Sequence, residues 1–226
     1  YIMNPVRRRM SRWRKSTFRV TPAMRKAVNA QIKKKINKMS ETKWLDTAFP
    51  NATYATQPVS GTSIIMPLGL MAGGYGEKER VGDTVEPIRL ELRGGITADA
   101  DPQSDTVLRI IVLREDNSEG ALPIITEILQ TDDVTALYNR DQGSQFAIKW
   151  DKTIRLVKNG IAATRAYTVF NKSIKLPQSI SSQYIGTAAE VASLGKNQYY
   201  VLMMCAQAAD SQATWEINYR FIYKDM

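Results

Sequence analysis

The sequence predicts an all-β protein: a single eight-stranded jelly roll of two packed antiparallel sheets, preceded by a basic N-terminal arm that contains a helix. Three observations support this prediction. The cations are segregated at one end of the chain. After residue 40 the hydrophobic period changes from about 3.6 to 2, and about eight segments rich in β-branched and aromatic residues follow. With 226 residues, 43% of them hydrophobic, the chain can enclose one undivided core.

The charge of the chain divides sharply between two regions. The first 38 residues carry thirteen Lys and Arg and no Asp or Glu, whereas residues 39–226 carry 18 basic and 22 acidic residues. The net charge of +9 is therefore +13 from the arm and −4 from the body. Such segregation is typical of polyanion binding. We predict a nucleic-acid-binding arm at residues 1–40 and a separate β domain at residues 41–226.

The arm interleaves aromatic rings with cations between Arg7 and Arg19. Cations neutralise phosphates and aromatic faces stack on unpaired bases, which together favour single-strand binding without sequence preference. A solubilising tail is the alternative, and a nuclear localisation signal is a second use of the same residues. The predicted nucleic-acid-binding residues, including cations of the following helix, are Arg7, Arg8, Arg9, Arg12, Trp13, Arg14, Lys15, Phe18, Arg19, Arg25, Lys26, Lys33, Lys34, Lys35 and Lys38.

A helix is expected at about residues 22–39. Thr21 is a capping residue, and Pro22 at the first helical position has no amide hydrogen to lose. An apolar stripe follows at helical spacing, and it predicts that one face docks while the others meet anions. A helix that packs on its own domain and a helix on a membrane surface are alternatives. The stripe comprises Met24, Val28, Ile32, Ile36 and Met39.

The body reads as strands joined by loops. The last strand is the clearest, because Trp215, Tyr219 and Tyr223 share one face and polar residues occupy the other. Near-continuous apolar runs at 107–113 and 199–205 predict strands covered on both faces. Asn159-Gly160 predicts a tight hairpin turn. The predicted strands are 43–57, 84–97, 105–115, 145–157, 164–176, 181–186, 198–207 and 213–224.

Two long insertions separate these strands, at residues 51–81 and 116–144, and the second has a short helical pattern around 122–129. Insertions of such length in a compact β domain usually have an external role.

The composition argues against an enzyme. The chain has no histidine and a single cysteine, Cys205, so Ser/His and Cys/His pairs and an internal disulfide are excluded. Catalysis by adjacent carboxylates, as at Asp132-Asp133 or Glu115-Asp116, remains an alternative, but such pairs are usually solvated. Asp99, Asp101 and Asp105 match a calcium loop poorly, and a solvated loop is favoured. We expect no cofactor, no metal and no membrane insertion.

Several segments carry a resemblance to a known family. ETKW at 41–44 and RVGDTVEPIRLELRGGI at 80–96 resemble the first and second strands of capsid proteins from circovirus-like small circular single-stranded DNA viruses. Three further segments resemble later strands of the same family: FAIKWDKTIRLV at 146–157, TVFNKSIKLP at 168–177 and KNQYYVLMMCAQAADSQATWEINYRFIYKD at 196–225. The resemblance covers most of the chain, although each motif is loose.

The resemblance implies a structural protein. About sixty copies of the shell domain, residues 41–226, would close into a T=1 icosahedral virion around single-stranded circular DNA. It also implies assembly in the host nucleus, with a nuclear import receptor and a host-cell receptor as further partners.

Other functions stay open. The arm cannot distinguish DNA from RNA, so a coat protein of a small RNA virus is the main alternative. A cellular single-strand-binding module is a second alternative, although the acidic body does not favour it. A jelly-roll lectin or hydrolase is a third, but the cupin enzymes usually need histidine ligands.

Overall fold

The computed structural model of the protein describes residues 21–39, 41–49, 64–98, 105–157, 166–206 and 213–225. The chain divides into two compact units, Tyr1–Met39 and Ser40–Met226. Among the described residues, no helix is both long and apolar enough to cross a membrane.

Helix α1 runs from Pro22 to Met39, the bounds that the sequence predicts. The Thr21 hydroxyl accepts a hydrogen bond from the Met24 amide at 3.2 Å, which is the expected cap. All side chains described in this helix, those of residues 22–32, are exposed, including Met24, Val28 and Ile32 of the predicted stripe.

The body consists of two antiparallel sheets. The first sheet has the strand order β1-β9-β3-β6, with the two-residue strand β7 also paired to β3. The second has the order β2-β8-β4-β5. A short helix, α2, spans Ile125–Ile128. The strands are β1 Thr42–Phe49, β2 Ile64–Pro67, β3 Thr84–Thr97, β4 Thr106–Asn117, β5 Phe146–Leu156, β6 Tyr167–Lys175, β7 Ser182–Gln183, β8 Lys196–Ala206 and β9 Thr214–Asp225.

The strand pairs are nested along the chain. β4 pairs with β5, β3 with β6, β2 with β8 and β1 with β9. The chain is therefore one long hairpin whose two arms are wrapped into a sandwich, which is the topology of a jelly roll. The predicted fold class is confirmed.

The core lies between the sheets and follows the predicted alternation. On β9 the side chains of Trp215, Tyr219 and Tyr223 are buried, and the polar residues between them face outward. Phe221 of β9 meets Tyr199 of β8 with ring centroids 5.9 Å apart, so the two sheets interlock through aromatic rings.

Strands β4 and β8 of the second sheet are buried on both faces, as their apolar runs predict. Their outer face is covered by residues of the predicted insertion 116–144. Arg109 of β4 donates hydrogen bonds to the carbonyls of Val134 (3.2 Å) and Ala136 (2.6 Å) in this segment. The segment therefore covers the apolar outer face of β4 and β8, and the external role expected of it stays a prediction.

The two ends of the body meet. β1 pairs with β9 from Thr42 opposite Lys224 to Phe49 opposite Ile217. Lys43 donates to the Asp225 carboxylate at 2.8 Å and to the Glu79 carbonyl at 3.0 Å, and both side chains of this ion pair are largely buried. The strand that begins the body is thus fixed to the strand that ends it.

Strand prediction failed where strands are short. β2 has only four residues and lies within the predicted insertion 51–81, where the neighbouring proline and glycines hide its pattern. The predicted strand 181–186 is reduced to β7, Ser182–Gln183. The predicted turn at Asn159-Gly160 lies outside the described residues. Cys205 is a free, buried thiol.

Candidate nucleic-acid interface

The predicted nucleic-acid-binding residues fall into two groups. The residues from Arg7 to Arg19 lie outside the described part of the chain. Arg25 and Lys26 lie in the first half of α1, and both are exposed. The remaining four, Lys33, Lys34, Lys35 and Lys38, lie on the second half of the same helix.

The start of helix α1 has no negative charge. Its first turn carries no acidic residue, whereas Asp or Glu there would stabilise the positive end of the helix dipole. Arg25 and Lys26 instead add charge of the same sign there. Such a helix gains electrostatic stability when an anion binds, so it is suited to contacting phosphate groups.

The body presents a second polar surface, on the outer face of the first sheet. Two adjacent depressions of about 340 Å³ and about 350 Å³ share Arg93 and Asn218 in their walls. We call the two together the sheet groove. They lie over β1, β9, β3 and β6, and their walls also include Asp46, Glu91, Arg220, Gly95, Tyr167, Val169, Asn171 and Glu216.

One half of the sheet groove is closed by ion pairs. Arg220 donates to both carboxylate oxygens of Asp46, at 2.6 and 2.9 Å. This hydrogen bonding lowers the pKa of Asp46 below its ordinary value. Arg89 reaches the Glu91 carboxylate at 3.0 Å. The charges in this half therefore neutralise one another.

The other half contains a row of exposed side chains that carry hydrogen-bond donors. Arg93 of β3 is in register with Asn171 of β6 on one side and Asn218 of β9 on the other. All three residues are exposed. Arg93 makes no ion pair with any residue in the described part of the chain.

An aromatic ring lies beside this row. Tyr167 is 64% exposed, yet a methyl group added at Gly95 would come within 2.5 Å of its hydroxyl oxygen and 2.9 Å of its Cε2 atom. The ring therefore rests on the β3 main chain, where only glycine leaves room for it. Strand alternation predicts that Arg93 points outward. Tyr167 was missed in the sequence because the glycine that makes room for its ring, Gly95, lies on a strand distant along the chain.

Of the three aspartates that match a calcium loop poorly, only Asp105 lies in the described part of the chain. Asp105 accepts a hydrogen bond from the Arg155 Nε atom at 2.8 Å, while Asp99 and Asp101 lie outside the described residues. Within the described ranges, no three Cys, Asp or Glu side chains are grouped so that they could hold a metal ion.

Comparison with known proteins gives a consistent family. A family model described as satellite tobacco necrosis virus coat protein matches residues 10–226. The coat protein of Satellite tobacco necrosis virus 2 is 26% identical over 204 residues, which cover 89% of this chain and 95% of that protein. The coat protein of Maize white line mosaic Satellite virus is 26% identical over 144 residues. That match covers 62% of this chain and spans 63% of the length of the relative.

A solved structure described as Desmodium yellow mottle tymovirus is also similar, at 6% identity and a TM-score of 0.34. The match covers 82% of this chain and 86% of that chain. The strand pairing of this chain defines its jelly roll without that likeness.

These matches correct the resemblance drawn from the sequence. The matched family is that of a satellite RNA virus, so the assignment to a circovirus-like single-stranded DNA virus was wrong. The DNA genome as partner and the nuclear localisation signal are wrong for the same reason. The motifs misled because alternation along a strand indicates only that one face is buried in a sandwich. A cationic arm likewise indicates only that its ligand carries phosphate charge. Both are alike in shells that hold DNA and shells that hold RNA.

Proposed function

This chain belongs to the satellite tobacco necrosis virus coat protein family, and we propose that its N-terminal arm packages a single-stranded RNA genome inside an icosahedral shell built from its β domain. As a coat protein it is a structural component of the virion. In this proposal the packaged nucleic acid is RNA, residues 1–40 bind it, and residues 41–226 form the shell.

The observation that carries the proposal is the charge segregation. An arm with thirteen cations and no acidic residue is joined to a body of net charge −4. RNA presents one negative charge per nucleotide, and a cationic segment that releases condensed counterions binds it without reading its sequence. An acidic body would repel the same RNA, so the arm accounts for most of the binding.

Helix α1 extends this binding segment up to the start of the β domain. It presents exposed cations at Arg25 and Lys26 and an exposed apolar row at Met24, Val28 and Ile32. We assign the cations to phosphate contacts. The residues from Arg7 to Arg19 contribute further cations, together with Trp13 and Phe18 as rings that stack on bases.

The β domain supplies the shell. Its nested strand pairs form one rigid sandwich, with long connections covering much of the second sheet. Copies of such a domain can close into a symmetric container, since repeated identical contacts between subunits generate point-group symmetry.

The test compares RNA binding by full-length protein with binding by a chain that lacks residues 1–38. If about six arm cations reach phosphates, the slope of log affinity against log salt concentration for single-stranded RNA should be near −4 and should approach zero after truncation. A Lys196→Gln variant, which removes one exposed cation of the body, is the matched control. A truncated protein that still packages RNA would contradict the arm's role.

A further inference from the structure

We infer that the sheet groove is a second binding site for single-stranded RNA, in which Tyr167 stacks on a base and Arg93 contacts the neighbouring phosphate. The inference rests on the proposed function, because it assumes that RNA is the ligand. It adds to that function a contact made by the folded body, which the charge balance of the chain does not suggest.

The Tyr167 ring is supported by the sheet and largely exposed. The hydroxyl end of the ring lies close to the main chain at Gly95, while 64% of the residue remains exposed. Val169, two residues along the same strand and face, is 68% exposed. A ring whose hydroxyl end is held against the sheet and whose remainder is exposed loses little side-chain entropy when a planar base stacks on it. Antiparallel sheets that bind single-stranded RNA use exposed aromatic residues in this manner.

A positive charge and two amide side chains lie beside the ring. Arg93 is exposed and unpaired among the described residues, and Asn171 and Asn218 flank it in register. A guanidinium with two neighbouring amides offers several donors that can bind phosphate oxygens or base edges. The next row of the sheet places Glu216 opposite Gly95. A carboxylate there disfavours a phosphate near the ring and can accept a hydrogen bond from the amino group of a base.

The sheet groove is small. Each depression is about 340 to 350 Å³, at the lower end of the range for small-ligand sites. That volume suits one or two nucleotides. A stable contact with a second copy of the chain would instead need about 800 Å² of complementary surface per partner. The balanced ion pairs Arg220–Asp46 and Arg89–Glu91 limit the attractive charge to the Arg93 end.

The experiment measures binding of a short fluorescent single-stranded RNA to the full-length protein over a series of salt concentrations. Tyr167→Leu keeps an apolar cover on Gly95 but removes the ring, and Tyr167→Phe, the matched control, keeps the ring. We expect Tyr167→Leu to weaken binding about 5-fold or more at every salt concentration with an unchanged slope. Tyr167→Phe should stay within about twofold of the parent protein, because the stacking face is retained.

Arg93→Gln provides a second, independent variant. Removing one phosphate contact should reduce the magnitude of the salt slope by about 0.7, whereas Lys196→Gln should leave the slope unchanged. Ultraviolet cross-linking of packaged RNA should also label the peptide that contains Tyr167 in the parent protein.

The outcomes separate the two proposals. A Tyr167→Leu protein that binds RNA as tightly as Tyr167→Phe would overturn the groove site. Normal RNA binding combined with lost particle assembly would identify a second copy of the chain as the occupant, which also overturns it. A different result would contradict the arm proposal. In that case the affinity for RNA would still fall steeply with salt concentration after deletion of residues 1–38, whether or not Tyr167→Leu weakens binding.

Discussion

The guanidinium of Arg80 lies over the ring of Tyr184, with its Cζ atom 4.3 Å from the ring centroid. Arg80 is only 1% exposed, and it donates hydrogen bonds to the carbonyls of Gly82 and Gly186 and to the Asp83 carboxylate at 3.1 Å. One buried cation therefore joins the segment before β3 to the segment after β7. Burial of this charge is tolerated because both terminal nitrogens donate hydrogen bonds and the guanidinium lies over a ring face, although its Nε atom has no partner among the described residues.

We predict that Arg80→Met destabilises the body by about 1–3 kcal/mol, since the removed donors leave the partly buried carbonyls of Gly82 and Gly186 unpaired. Arg89→Met is the matched control: its ion pair with Glu91 is half exposed, and it should cost less than about 1 kcal/mol. Urea unfolding of the dissociated full-length protein measures both. Equal stabilities of the two variants would contradict the role assigned to Arg80.

Glu115 should make the stability of the body depend on pH. Burial raises the pKa of this carboxyl, against hydrogen bonds from neighbouring side chains that lower it. Because the folded pKa lies above the unfolded value of about 4.3, the stabilisation is fully present below that value and is lost as pH rises through the folded pKa. Glu115→Gln should therefore be more stable than the parent protein at pH 8 and should have a flatter pH profile.

Thermal unfolding at a series of pH values checks the Glu115 prediction, with Glu190→Gln as a control at an exposed carboxylate. Parallel profiles for Glu115→Gln and the parent protein would show that this carboxyl does not titrate differently on folding.

Gly94→Ala should destabilise the first sheet. A methyl group at this position would lie 2.6 Å from two ring atoms of Phe170 and 2.7 Å from the Glu216 carbonyl oxygen, so either the ring or β9 must move. We expect a loss of about 1–3 kcal/mol. Gly73→Ala is the control, because its added methyl group would meet Thr187 at an ordinary 3.5 Å. A shift of the urea midpoint that is no larger for Gly94→Ala than for Gly73→Ala would contradict the packing described for Phe170.

Cys205 should be inert to thiol reagents while the body is folded. Burial raises the pKa of the thiol to about 11, and the side chain is nearly inaccessible. Labelling at pH 8 should therefore be slow and should follow the unfolding rate as urea is added. Rapid labelling in the absence of urea would indicate that the end of β8 opens locally.

The sequence predicted the parts of the fold that depend on repeated local pattern. Thr21 and Pro22 define the start of α1, and the alternation of Trp215, Tyr219 and Tyr223 defines the buried face of β9. β3 was predicted with its observed bounds, Thr84–Thr97, because charged and apolar residues alternate along it. In each case the information lies within a few neighbouring residues.

What the sequence could not predict depends on contacts between distant segments. The cover over the second sheet needs Arg109 to meet Val134 and Ala136, and the sheet groove needs Tyr167 to meet Gly95. Neither pairing leaves a periodic signal. The nucleic acid was misassigned for a related reason, since thirteen cations describe the charge of a ligand and not its sugar.

The pairing of β1 with β9 and the Lys43–Asp225 ion pair have a practical consequence for labelling. Thr42 lies opposite Lys224, so two labels placed at the start of β1 and at the end of β9 would lie side by side on neighbouring strands. Separation of such a pair would report the loss of the β1–β9 pairing.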